Sequence, residues 1–102
     1  MRRAEVWLAQ VGRKVRPVLI LTRHEVIEAR RLVTVAEITT SVRGLAAEVQ
    51  LDHAEVGLDR PSVINCDGLH TVAKSSLTHR VGSVGDETMA RVCWAVGYAL
   101  GC

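Results

Sequence analysis

Phenylalanine is absent from this 102-residue chain, and its only aromatic residues are Trp7, Trp94 and Tyr98. That shortage argues against an RRM-like or single-strand-binding surface built on stacked rings. No apolar run approaches the roughly 18 residues of a membrane span. The opening Met1-Arg2-Arg3-Ala4-Glu5 is basic, but charged residues interrupt the next stretch and no signal-peptide core appears. The expectation is a soluble cytoplasmic protein with no membrane contact. Cys66, Cys93 and Cys102 are odd in number and widely spaced, with no Cys-x-x-Cys, which disfavours a disulfide framework and a zinc site. His24, His53, His70 and His79 lack ligand spacing, so no metal and no cofactor is expected. Phosphate loops, Rossmann turns and a Ser/His/Asp order are missing too.

What the chain does have is valine, sixteen times. β-Branched side chains pack well on a pleated sheet. The 48% hydrophobic content is too high for disorder, and the length fits one domain, residues 1–102. The net charge of +2 is unevenly placed. Residues 1–45 hold nine Lys/Arg against four Asp/Glu, and the remainder holds four against seven. Eleven of the thirteen basic residues are arginine, whose planar fork grips phosphate bidentately, so the first half permits a polyanionic partner.

Strands are expected at Glu5–Ala9, Arg16–Thr22, Leu32–Ile38, Ala47–Leu51, Pro61–Asn65, Leu69–Val72 and Leu77–Val84. Gln10–Val15 reads as a loop, and Pro17 as the beginning of its strand. The unbroken run Val18–Leu21 implies burial on both faces. His24–Arg31 predicts one or two helical turns, and Cys66-Asp67-Gly68 a break. A final helix starts at Gly85 or Asp86 and ends at Gly101, with Met89, Val92, Cys93, Val96 and Leu100 covering the sheet. Trp94 and Tyr98 lie off that stripe, positioned to meet a second subunit. The layout is α+β and mainly β, a small barrel-like domain with a C-terminal helix. Polar residues stand where apolar strands end: Arg16, Thr39, Thr40, Ser41, Asn65, Asp67, His70 and Thr71. Such positions border clefts in small barrels.

Several motifs resemble one family in order along nearly the whole chain. Ala4-Glu5-Val6-Trp7, Arg16-Pro17-Val18-Leu19-Ile20-Leu21, Val35-Ala36-Glu37-Ile38-Thr39-Thr40, Val42-Arg43-Gly44-Leu45 with Glu48-Val49, Gly57-Leu58, Ser62 to Asp67 and Thr71-Val72 are similar to segments of MazF/PemK-type toxins. The resemblance implies an SH3-like (CcdB/MazF-type) barrel that forms a homodimer. It implies a sequence-specific, metal-independent endoribonuclease acting on single-stranded RNA, held in check by a small antitoxin, MazE-like or other, that blocks the RNA groove.

By the same resemblance, Arg16 and Thr39 match the catalytic Arg and Thr, and Asp67 an acidic residue used as a base in some members. RNA contacts are expected from Arg13, Lys14, Glu37, Thr40, Ser41, Arg43, Asn65 and His70. Arg16 suits stabilisation of phosphoryl charge, and Asp67, His70 or Glu37 suits acceptance of the 2′-hydroxyl proton. Three departures stand out. The Gln10–Val15 loop lacks the insert of many relatives, Asn65 stands where some carry Arg, and Glu37 replaces the usual proline. Period-two alternation puts Glu37 on the face of Thr39, so either Arg16 or Arg43 neutralises it or it serves as the base. Two other functions share the fold: a CcdB-like gyrase poison that cuts no RNA, and a degenerate, inactive member.

Overall fold

A computed structural model describes residues Met1–Cys102. Six antiparallel strands form one sheet: β1 (Glu5–Val11), β2 (Lys14–Ile20), β3 (Leu32–Thr39), β4 (Glu48–Gln50), β5 (Val63–Ala73) and β6 (Leu77–Ser83). Their spatial order is β4-β5-β3-β2-β1-β6. Helix α1 spans His24–Ile27, a 3₁₀ turn spans Lys74–Ser76, and helix α2 spans Asp86–Leu100. No helix is long and apolar enough to cross a membrane.

The hydrogen-bonded ladder is open, with β4 and β6 as its edges. The β4–β5 connection bridges them. It presses the Val56 carbonyl so close to Gly82 on β6 that a Cβ at Gly82 would fall 2.5 Å from the oxygen. Val56 itself is buried in the core beneath. The barrel-like, SH3-type expectation therefore holds, with a loop and not a seventh strand completing the wall.

The sheet has a core on each side. Val6, Leu19, Ala36, Ile38, Val49 and Ile64 pack against Met89, Val92 and Ala95 of α2. Val18, Ile20, Val33 and Val35 pack on the other side against Ile27 of α1. The run Val18–Ile20 is buried on both faces because its alternate side chains serve the two cores. Burying a side chain the size of Leu19 is worth roughly 1.5–3 kcal/mol.

Four local expectations are corrected. Gln10–Val15 is not a loop: β1 and β2 meet in a two-residue turn at Gly12-Arg13. Gly12 has φ +60°, the positive value that the first central position of such a turn requires. Pro17 consequently lies inside β2, opposite Leu8. Its missing N–H does no harm, because the β2–β3 ladder begins only at Val18. Cys66-Asp67-Gly68 does not break the strand. It is a bulge within β5, where the partners of Ala36 and Glu37 jump from Leu69 to Asn65. Finally, Cys93 and Leu100 face solvent, and the buried stripe of α2 runs through Met89, Val92 and Ala95.

Candidate active site

The β2–β3 ladder ends at the pair Val18–Glu37. Arg16 and Thr39 each lie two residues beyond it, so alternation points both to the side of Val18 and Val35. That face is apolar core as far as Val18 and Val35 and turns polar as the two strands part. A cleft of about 310 Å³ opens there. Arg16 lines it from β2, Glu37, Ile38 and Thr39 from β3, and Ser41, Arg43 and Leu45 from the β3–β4 loop. Glu48 of β4 and Asn65 and Asp67 of β5 complete the wall. Of the residues expected at the site, seven meet in the cleft: Arg16, Glu37, Thr39, Ser41, Arg43, Asn65 and Asp67. Arg13 and Lys14 lie at the β1–β2 turn, Thr40 points to solvent, and His70 stands behind Glu37.

Thr39, Asn65 and Glu48 are each engaged by backbone N–H groups. The Thr39 hydroxyl oxygen accepts a hydrogen bond from the Ser41 N–H at 3.0 Å, which leaves its own proton free to donate. Asn65 Oδ1 accepts from the Asp67 N–H at 3.1 Å and shapes the β5 bulge that carries Asp67. Glu48 Oε1 accepts from three consecutive backbone N–H groups, Arg43 at 3.0 Å, Gly44 at 2.8 Å and Leu45 at 3.3 Å. The carboxylate thus fills a nest of oriented amides and fastens the loop that carries Arg43.

Glu37 departs from expectation. Neither Arg16 nor Arg43 pairs with it; its Oε1 lies 3.3 Å from Nε2 of His70. The only other ion pair in the chain is Arg80–Glu5, so both cleft arginines lack a carboxylate partner within 4.0 Å. Glu48, Leu45 and Ile38 join the cleft without having been expected there. A carboxylate shortly after a Gly-containing turn is the signal that points to Glu48, since such a side chain reaches back to turn amides.

Cys66 lies behind the cleft and offers no nucleophile. Burial pushes its thiol up to about 11, with the charges of Asp67 and Cys93 adding to the effect. No group of three or more His, Cys, Asp or Glu side chains is placed to hold a metal ion.

Residues 2–100 match the family described as PemK-like, MazF-like toxin of type II toxin-antitoxin system. The probable endoribonuclease MazF5 of Mycobacterium tuberculosis is 38% identical over 103 aligned residues, covering 98% of this chain and 93% of the relative. Endoribonuclease MazF3 of the same species is 45% identical over 94 residues, covering 92% and 89%. Among solved structures, the Mycobacterium tuberculosis toxin MazF-mt6 aligns with a TM-score of 0.89 at 42% identity, over 95% of this chain and 96% of that one. A mycobacterial endoribonuclease in complex with its cognate antitoxin aligns with a TM-score of 0.89 at 25% identity, over 99% and 95%. With an ordered match from end to end and this architecture, the chain belongs to the PemK-like, MazF-like toxin family of type II toxin–antitoxin systems.

Proposed function

We propose that this toxin is a sequence-specific endoribonuclease that cuts single-stranded RNA in the Arg16–Thr39 cleft, using the RNA's own 2′-hydroxyl as nucleophile. The observation that carries the reading is the convergence of Arg16 and Thr39 in one cleft, with no carboxylate paired to the guanidinium. The 2′-oxygen attacks the adjacent phosphorus while the bond to the 5′-oxygen breaks. Charge grows on the non-bridging oxygens during this step. Arg16 meets it with fixed positive charge and a bidentate fork, and Thr39 donates its free hydroxyl proton as a hydrogen bond. Asp67, exposed on the bulge that lines the same cleft, accepts the 2′-hydroxyl proton. The departing 5′-oxygen takes a proton from solvent water, so the products are a 2′,3′-cyclic phosphate and a 5′-hydroxyl.

The relatives named as endoribonucleases favour this reading over a gyrase poison. The antitoxin-bound neighbour supports regulation by a small protein that covers the RNA groove. Action in the cytoplasm, where RNA and antitoxin are made, follows from the same assignment. A homodimer is supported by Trp94 and Tyr98, which are 65% and 59% exposed in the single chain and stacked with centroids 5.5 Å apart. Large paired rings left on a surface mark an association site.

The test is incubation of the purified protein with a long RNA in EDTA. Discrete fragments ending in cyclic phosphate and 5′-hydroxyl are expected, and 2′-deoxyribose at the cut site should stop cleavage. Intact RNA together with inhibited gyrase would replace this reading with the poison.

A further inference from the structure

A carboxylate is unfavourable in a cleft that receives a phosphodiester, yet Glu37 lines this one beside Arg16 and Thr39. It lies against the β5 bulge. A Cβ at Gly68 would fall 2.5 Å from Glu37 Oε2 and 3.0 Å from Asn65 Nδ2, so the carboxylate end rests close over the bare glycine. Its other oxygen faces Nε2 of His70 at 3.3 Å. The His70 side chain is 50% exposed and does not line the cleft, whereas that of Glu37 is 35% exposed and does. The imidazole therefore lies on the solvent side of the contact, and the carboxylate on the side of the cleft.

The other charged groups that line the cleft are Arg16 on β2, Arg43 on the β3–β4 loop, Glu48 on β4 and Asp67 on β5. Two are positive and two negative. Glu37 thus tips the balance of the cleft to negative, and a protonated His70 restores it.

We propose that His70 is a positioning residue that sets the charge of the RNA cleft through Glu37; the proposal rests on the reading of this cleft as the RNA site. With His70 protonated, Glu37 is drawn back against Gly68 as one half of an ion pair, and Arg16 and Arg43 meet the phosphodiester without competition. With His70 neutral, Glu37 repels the phosphate and competes for the same guanidinium groups. The two charge states thus predict tighter RNA binding with the imidazole protonated than with it neutral.

The experiment measures binding of an uncleavable probe, a short 2′-O-methyl RNA pool of random sequence, at fixed salt between about pH 5.5 and 8. Wild type, Glu37→Gln, His70→Gln and the double variant are compared. Wild-type affinity should fall about fivefold across the range, the size expected of one partly exposed ion pair. Glu37→Gln should bind at least as tightly as the wild type at low pH and show no slope. His70→Gln should weaken low-pH binding only when Glu37 is present. A slope that survives Glu37→Gln, or an equal loss from His70→Gln in both backgrounds, would overturn the proposal. Cleavage of an unmodified RNA by the same preparations tests the underlying nuclease reading separately.

Discussion

Arg16 and Thr39 stand on neighbouring strands, each two residues past the last β2–β3 pair, Val18–Glu37, and both line one cleft. The face that builds the α1-side core becomes the wall of the cleft as soon as its strands part. Precision at the site thus derives from the buried strand segments Val18–Ile20 and Val33–Val35 immediately behind it.

Thr39 is expected to act through its hydroxyl. Thr39→Ala should lower the single-turnover cleavage rate by about 10²–10³, the usual effect of deleting one donor to a developing oxyanion. Thr39→Ser keeps both the donor and the acceptor for the Ser41 N–H, and should recover most of the rate. A serine variant as slow as the alanine variant would show that the methyl group, not the hydroxyl, matters.

Glu48→Ala should loosen the Arg43–Leu45 loop by removing the acceptor its amides share. The expected cost in stability is about 0.5–2 kcal/mol, as for loss of a helix cap. Faster hydrogen exchange at Gly44 and Leu45 in the variant checks the cause.

The bridge between the sheet edges rests on Gly82. Gly82→Ala places a Cβ 2.5 Å from a backbone oxygen, which nothing flexible relieves. A loss of about 1–3 kcal/mol in denaturant unfolding is expected, as for overpacking elsewhere.

Stability should also fall in acid through Glu5. Burial alone would raise its pKa. Hydrogen bonds from Trp7, Arg80 and the Arg2 N–H, with the charge of Arg80, more than offset that and hold the carboxyl below its ordinary 4.5. A depressed folded-state pKa gives stability that is present above pH 4.5 and lost as pH falls through the folded value. Glu5→Gln should therefore be less stable than the wild type at neutral pH by about 1–3 kcal/mol, with the gap closing in acid. An unchanged gap across that range would mean that the carboxylate's charge contributes nothing.

Much of this architecture is legible from residues alone. The apolar run Val18–Leu21 announces a strand between two cores, and Asp86, Glu87 and Gly101 bracket the last helix. The resemblance to the toxin family groups Arg16, Thr39 and Asp67, and they line one cleft. Other features depend on partners that local patterning does not report. The Cys66–Gly68 bulge leaves the backbone extended and shows only as a jump in register against β3. Gln10–Val15 resembles a loop because most of its side chains are exposed, although its backbone pairs almost to the turn. The facing of α2 is hard to read because Ala95 carries little hydrophobic signal, yet it is 1% exposed against the sheet. Glu37 meets not the expected arginine but a histidine from a neighbouring strand.

In the proposed reaction Arg16 stabilises the phosphoryl charge during RNA cleavage. The most direct test of that role is the single-turnover cleavage rate of the Arg16→Ala variant in EDTA, with folding verified by its thermal unfolding curve. A folded protein whose rate is lower than that of the wild type by at least about 10²–10³ is expected. Cleavage at a near-normal rate by the folded variant would contradict that role.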